Sequence, residues 1–327
     1  MDVKKNKILN IALIVAVVLF AAGQVKDLAV KSIVTTVASS ITGAPIHIGG
    51  FSLGVIRPAV HIKDFKMYNP KGFPGGEMVN IPRISVHYNP LSIFKGKIHL
   101  SLLVFDLREM MIVKNKDGKL NFDELKFAQE QAAASEAKKG DQKKSAQEMP
   151  MQIDKFMLNL GRVIVKDYTK PENPSILVYE LGLKDRTFEN LTSAQQLAAV
   201  ITLEGMKPAA IKSAATYAAA TILGVGFFPA AVVGAMVSKD SAEIAYHASV
   251  DAVFKAVGEV VKKIGEVKSE DKAKGEIKAK AEGCDLTIAF KKDDRGLTNV
   301  KVAARQFMLP KPEVAGGILY RVSERIK

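Results

Sequence analysis

The composition of this 327-residue chain excludes several classes of protein. Cys284 is the single cysteine, so no intrachain disulfide can form and the fold has to rest on packing. A hydrophobic share of 48% and a charged share of 25% are typical of a folded chain, and the length suffices for about two domains. The net charge is +13, but Trp is absent and no basic patch is interleaved with aromatic residues, so no nucleic-acid partner is expected. Anionic lipid headgroups are the partner that this positive charge favours, because the N-terminus described next predicts a membrane anchor.

The N-terminus carries the strongest local signal. Lys4, Lys5 and Lys7 precede an uncharged run of 18 residues, 8–25, and about 17–25 apolar residues suffice for a helix to cross a bilayer. This pattern predicts a transmembrane anchor. The lysines should stay in the cytoplasm, which places the rest of the chain across the membrane. The apolar residues of the predicted anchor include Ile8, Leu13, Val17, Leu19 and Phe20.

A cleaved signal peptide is the alternative interpretation, because Ala21 and Gly23 are small enough for a cleavage site. Apolar residues at helical spacing nevertheless continue through Val25, Leu28 and Ile33. We therefore expect an uncleaved anchor that continues as a helical stalk to residue 45. No cysteine lies near the run, which excludes a lipoprotein.

Residues 46–200 have the alternating pattern of strands separated by tight turns. The segment 126–150 is rich in Ala, Gln, Glu and Lys, and we expect it to be a flexible, solvated insertion. Within the strands, one set of apolar residues occupies alternate positions and is predicted to share a face, and two residues of the neighbouring strand are expected to join it. The set consists of Ile98, Leu100, Leu102 and Val104, with Ile84 and Val86 beside them.

Residues 201–239 contain an uncharged, Ala-rich stretch at 213–238 that is long enough to span a bilayer. Three interpretations stay open: a buried helical hairpin bent near Gly226 and Pro229, a hairpin that dips into the membrane, and a second span. Small residues recur every four positions, which favours close packing of helices. These small residues are Gly226, Ala230 and Gly234.

Residues 240–327 predict a compact unit with the order βαβββα. A strand at 244–250 precedes a helix that Asp251 could cap and that Gly265 ends. Three strands and a final helix that begins at Pro312 follow. This order is typical of a small α+β sandwich with helices on one face of an antiparallel sheet.

No motif predicts catalysis, a cofactor or a metal site. The pattern Gly-Phe-Ser-Leu-Gly at 50–54 matches the serine elbow of hydrolases, but extended residues follow where that elbow needs a helix. The five histidines lack metal-ligand spacing, and Cys284 is expected to be a small buried thiol. We therefore do not expect an enzyme.

Several segments in a fixed order resemble the AsmA family of bacterial envelope proteins over residues 1–200. The resemblance rests on five parts of the chain. They are the anchor and stalk, residues 49–54, the Asn-Pro-x-Gly-Phe segment within 62–73, residues 84–88 with the connector 90–96, and the closing segment 118–125. The C-terminal unit resembles a small bacterial α+β domain of unknown function, mainly through its βαβββα order and residues 305–312.

The resemblance implies an α+β protein of the bacterial inner membrane, with a curved, mostly antiparallel, taco-like β-sheet that is apolar inside and faces the periplasm. Family members are associated with envelope assembly and with movement of phospholipid between membranes. The six apolar residues above are thus candidate contacts for acyl chains. Fewer than 160 residues are available for the groove, and each strand adds only about 4.8 Å, so one copy cannot bridge two membranes. The alternative function is a structural or assembly factor whose apolar sheet face binds a protein partner or a second copy.

Overall fold

The fold is α+β and contains two six-stranded sheets. The computed structural model describes residues 42–54, 58–136, 150–224 and 240–326, together with 27–28, 31–32, 34–36 and 38–39. The strands are β1 Ile46–Gly54, β2 Ala59–Tyr68, β3 Glu77–Tyr88, β4 Ile98–Lys114, β5 Met151–Asp167, β6 Ser175–Leu191, β7 Ala242–Tyr246, β8 Gly265–Asp271, β9 Glu276–Ala281, β10 Cys284–Lys292, β11 Thr298–Gln306 and β12 Leu309–Pro310. The helices are α1 Pro90–Phe94, α2 Lys126–Glu136, α3 Ala194–Met206, α4 Ala214–Ile222, α5 Val250–Ile264 and α6 Pro312–Ile326.

The first sheet runs β1-β2-β3-β4-β5-β6 in sequence order. Each neighbouring pair is antiparallel except β4 and β5, which are parallel. The register shifts at three places, between Met67 and Tyr68, between His87 and Tyr88, and twice from Leu158 to Arg162. Because an extra residue on one strand bends it and increases the local twist, these irregularities curve the sheet. The expected curved, mostly antiparallel sheet is confirmed.

The connection from β4 to β5 differs from the expected flexible insertion over 126–150. Its first part is a 3-10 helix, Asn121–Glu124, followed by α2. Phe122, Phe127 and Ala128 are buried in the main core, whereas Gln129, Glu130 and Ala133 are exposed, so the 3-10 helix and the first turn of α2 are packed and the next described residues face solvent. The Ala- and Gln-rich composition hid these anchoring residues, which lie at its beginning. Residues 137–149 lie outside the described part of the chain.

Helices α3 and α4 are joined by a bend of their own, separate from the one predicted near Gly226 and Pro229. The bend is a 3-10 turn at Lys207–Ala209 that ends with Ala210 at a φ of +50°. Ser213 then caps α4, because its hydroxyl accepts from the backbone of Thr216. Gly226, Pro229, Ala230 and Gly234 lie outside the described residues, as does the predicted anchor over 8–25. Among the helices that the structure describes, none combines the length and apolarity needed to cross a bilayer.

The second sheet is antiparallel throughout and has one strand more than the predicted βαβββα order, besides the two-residue β12. Gly265 does not only end α5; it also begins β8, with extended backbone. A Cβ at Gly265 would lie 2.2 Å from the carbonyl oxygen of Lys280, so glycine permits this close approach of β8 to β9. Ser249, not Asp251, caps α5 through a bond from the Ala252 amide. β8 escaped prediction because most of its side chains are exposed.

The C-terminal unit is joined to the first sheet through α6. Helices α5 and α6 cover one face of the second sheet, and α6 also packs against β6. Tyr320 on α6 packs beside a small core on the outer face of the first sheet, and the guanidinium of Arg321 lies 2.9 Å from the Glu282 carboxylate. The buried residues of this small core are Met111, Val113, Ile164, Ile176 and Val178.

Candidate functional site

Two apolar rows cross the core-facing side of the first sheet. Residues directly opposite each other on neighbouring strands point to the same face, so the register assigns each row. The first row is Leu53, Val60, Val86, Leu103, Phe156 and Phe188, one residue from each of the six strands. The second row is Phe51, Ile62, Ile84, Phe105 and Leu158, and Arg186 completes it on β6. We call these two rows the apolar face.

Burial differs between the centre and the flanks of the apolar face. At the centre, Leu103 is 4% exposed, and Phe156 and Leu158 are 0% exposed. On the flanks, Val60 on β2 and Phe188 on β6 are only half-buried. Apolar surface therefore remains partly accessible on both sides of a dry centre.

Aromatic rings connect the centre to the β6 flank. Phe105 meets Phe156 edge-on at 5.3 Å between ring centroids, and Phe156 stacks on Phe188 at 5.9 Å. The guanidinium of Arg186 lies 5.6 Å from the Phe188 ring, which places a cation at the rim of the apolar face.

Helices pack on the same core as the apolar face. α3 packs against β5, and the Met110 side chain of β4 reaches it so closely that a Cβ at Gly205 would be 1.8 Å from the Met110 sulfur. The Asp123 carboxylate accepts a 2.7 Å hydrogen bond from the Ala215 amide and ties α4 to the 3-10 helix. At the opposite edge, helical Asp27 accepts from the Leu53 amide at 3.2 Å. The described stalk residue thus lies beside β1.

The predicted acyl-chain contacts divide between two faces. Ile84 lies opposite Phe105, and Val86 lies opposite Leu103, so both belong to the apolar face. Leu102 and Val104 instead lie opposite the polar His87 and Ser85, on the outer face. The prediction that Ile84 and Val86 share a face with Leu102 and Val104 was wrong, because it assumed a register one residue away from the real one.

The remaining two predicted contacts lie near the start of β4. The irregularity after His87 pairs Leu100 with Tyr88, and Leu100 packs against the main core. Ile98 is half-buried and lies opposite Met151 on β5. Whether any of the six residues contacts lipid stays a prediction.

Sequence reasoning missed the residues that form the centre of the apolar face. Leu103 and Phe105 alternate as clearly as Leu102 and Val104, so that half of β4 is apolar on both sides. The available signal was on β3, where polar Ser85 and His87 alternate with Ile84 and Val86. This alternation shows which side of β3 faces the core. It identifies the core-facing residues of β4 only when the register between β3 and β4 is known.

The residues with catalytic potential are not assembled into a catalytic site in the described part of the chain. Ser52 lies within β1 opposite His61, and β2 follows it where a hydrolase elbow needs a helix. Cys284 is buried, as expected, and burial raises the pKa of its thiol. Burial likewise raises the pKa of Tyr179 to about 12, so this half-buried phenol is neutral at physiological pH.

Two of the segments that resemble the AsmA family, those within 62–73 and 118–125, meet at one end of the first sheet. Asn69, from the Asn-Pro-x-Gly-Phe segment, accepts a 2.7 Å hydrogen bond from Asn121, from the closing segment. Asn115 begins the turn that leads into the closing segment, and its side-chain amide donates to the Gly72 carbonyl at 3.3 Å. These segments therefore pack together and stabilise one end of the first sheet.

The comparison with protein families agrees with this arrangement. The sequence model of the AsmA family matches residues 7–269, which covers the first sheet, both helices α3 and α4, and the start of the C-terminal unit. No curated protein matches the chain. The chain therefore belongs to the AsmA family, which is associated with proteins of the bacterial envelope.

Proposed function

We propose that this protein is anchored in the bacterial inner membrane with its N-terminus in the cytoplasm, and that its periplasmic part shields or passes lipid acyl chains along the apolar face. The role would be non-enzymatic and would support envelope assembly or lipid homeostasis. Membership of the AsmA family supports the envelope context. The observation that carries the lipid role is the apolar face, which crosses all six strands of the first sheet and stays half-buried at both flanks.

The dimensions of the apolar face suit an acyl chain. Five strand spacings of about 4.8 Å give a length of roughly 24 Å. One leaflet of a bilayer core is about 15 Å thick, half of the ~30 Å hydrocarbon region, so the rows are at least as long as an extended acyl chain. Because the centre is buried, such a chain would contact the half-buried flanks in the described arrangement. The half-buried flanks would gain most from such a ligand, because covering apolar surface stabilises by about 25 cal/mol per Å².

The charge at one rim suits a phospholipid headgroup. Arg186 ends the second row on β6 and stacks near Phe188, and Lys184 is also exposed on this strand. A guanidinium binds phosphate oxygens in a bidentate manner. An acyl chain on the apolar face could therefore leave its phosphate beside Arg186.

Photocrosslinking at two matched valines tests this proposal. Val86 and Val104 are both half-buried and lie on neighbouring strands, but only Val86 belongs to the apolar face. A photoreactive amino acid at each position, irradiated in membranes, should give lipid adducts at Val86 and not at Val104. Mass spectrometry of the adducts would identify the lipid class.

Two results would contradict the lipid role. Equal lipid adducts at both positions would indicate contact without regard to the face. Protein adducts at Val86 without lipid would favour an assembly factor whose apolar face binds a protein partner or a second copy of this chain.

The topology has its own test. A reporter that is active only in the periplasm, fused after Lys327, should be active. An inactive periplasmic fusion paired with an active cytoplasmic fusion would contradict the proposed topology and favour a second span at 213–238.

A further inference from the structure

The turn between β11 and β12 presents three consecutive apolar side chains to solvent. Phe307 is 92% exposed, Met308 is 85% exposed and Leu309 is 66% exposed. Phe307 and Met308 are the most exposed large hydrophobic residues in the described part of the chain. We call residues 307–309 the apolar tip. Contiguous exposed apolar side chains in a folded protein often mark a site of interaction with a partner or a membrane.

The backbone of the apolar tip is unusual for the residues it carries. Gln306 pairs with Leu309, which leaves a two-residue turn in which Phe307 has a φ of +48° and Met308 has a φ of +67°. Such turns normally contain Asn-Gly, because the left-handed region is unfavourable for residues with bulky side chains. The turn therefore accepts backbone strain while it displays apolar groups, which is typical of a binding element.

Basic residues occupy the sheet face next to the apolar tip. Lys280, Lys301 and Arg305 are exposed on the open face of the second sheet. Arg305 lies two positions before Phe307, the first residue of the apolar tip. Three acidic residues lie opposite these basic residues. Asp285 faces both Lys280 and Arg305, and its carboxylate is paired with Lys268 at 2.6 Å; Glu266 faces Lys280, and Glu243 faces Lys301. On the other side, Lys311 lies 3.7 Å from Glu313. The open face therefore carries both signs of charge, while the apolar tip itself is flanked on both sides by a basic residue, Arg305 before it and Lys311 after it.

We propose that the apolar tip inserts into the interface of a bilayer that contains anionic lipid. The aromatic ring, the thioether and the leucine would enter the headgroup and upper acyl region, while Arg305 and the lysines contact lipid phosphates. A convex tip penetrates a fluid surface without needing a complementary pocket, and the adjacent positive charge matches anionic headgroups. This inference goes beyond the proposed function, because it concerns a different surface, beyond residue 269 where the family match ends.

The absence of tryptophan from the sequence gives a direct test. Phe307→Trp places a single tryptophan at the tip of the full chain, which is then incorporated into phosphatidylcholine vesicles with or without phosphatidylglycerol. With phosphatidylglycerol, the emission of this tryptophan should shift to shorter wavelength, and acyl-chain-brominated lipid should quench it. Leu91→Trp is the matched control. Leu91 is also a highly exposed apolar residue, but it lies on α1, which connects β3 and β4 of the first sheet. Its emission should not respond.

Two further variants separate insertion from folding. In a Leu309→Trp chain, Phe307→Asn with Met308→Gly installs the residues that this turn prefers, so the fold should be kept while lipid quenching of the tryptophan is lost. In the Phe307→Trp chain, Arg305→Gln should lower the equilibrium constant for docking about fivefold on anionic vesicles, the usual contribution of one basic residue near such a surface.

Three results would overturn the proposal. One is unchanged emission of the tip tryptophan on anionic vesicles. Another is equal quenching of the Leu91→Trp control, which would indicate nonspecific adsorption. The third is a blue shift that grows with protein concentration and is not quenched by brominated lipid, which would place a second copy of the chain at the tip.

Discussion

Asn121 donates a 2.7 Å hydrogen bond from its side-chain amide to the side-chain oxygen of Asn69, across 52 positions of sequence. Asn121 is fully buried, and its amide also donates to the Met111 carbonyl at 2.9 Å. Its oxygen accepts from the backbone of Val113 at 3.0 Å. One side chain thus satisfies several buried groups between β4 and two loops, and its role is to stabilise this end of the first sheet.

Asn121→Ala should therefore destabilise the protein by about 2–4 kcal/mol, because several buried polar groups lose their partner at once. Urea unfolding monitored by circular dichroism measures the loss. Asn299→Ala, at a half-buried asparagine on β11, is the control and should cost less than about 1 kcal/mol. Equal losses would show that the Asn121 network adds nothing particular.

The two faces of β4 predict opposite responses to a carboxylate. Leu103→Glu should destabilise by at least about 3 kcal/mol, because it buries an unpaired charge at the centre of the apolar face. Leu102→Glu should cost about 1 kcal/mol or less, because Leu102 lies beside His87 on the outer face. Thermal unfolding of both variants checks this assignment, and a reversed order would show that the register is wrong.

Two helical glycines predict opposite effects of one added methyl group. A Cβ at Gly317 on α6 would lie 1.8 Å from the Ile176 carbonyl oxygen, so Gly317→Ala should destabilise the docking of α6 on β6 by about 1–3 kcal/mol. Gly258 on α5 has only the Glu270 side chain at 3.6 Å, and Gly258→Ala should stabilise by about 0.5–1 kcal/mol. Differential scanning calorimetry would show both. If Gly317→Ala is tolerated as well as Gly258→Ala, α6 does not approach β6 so closely.

Glu77 predicts part of the response to acid. Burial alone would raise the pKa of Glu77, but hydrogen bonds from Lys66 and Asn80 outweigh burial and hold the pKa below its ordinary value of 4.5. The folded state therefore favours the carboxylate. Its contribution to stability is present above pH 4.5 and is lost as the pH falls through the folded-state pKa.

Glu77→Gln should accordingly make the free energy of unfolding fall less steeply below pH 4.5 than in the unaltered protein. Asn80→Ala removes one donor to Glu77 and should act in the same direction, but more weakly. Urea unfolding across this pH range measures the slopes. A steeper acid dependence in Glu77→Gln would contradict the sign of the shift.

The sequence by itself determined the element types in much of the chain and the family. Alternation of apolar and polar residues identified most strands, because side chains in a strand point to opposite faces with a period of two. The segments around Asn69 and Asn121 that resemble the AsmA family helped to identify it, and in the structure their residues make local turns and hydrogen-bond to each other.

Only the tertiary structure decided which side of each strand faces inward. Leu102 and Leu103 are adjacent and identical, so their separation into outer face and buried centre depends on hydrogen bonds to β3 and β5, which are remote in sequence. A shift of one residue reverses every assignment along a strand. The exposure of Phe307 is likewise a property of the tertiary structure, because the pairing of Gln306 with Leu309 places its side chain at the tip of a turn. Register is a long-range property, and local periodicity leaves it undetermined.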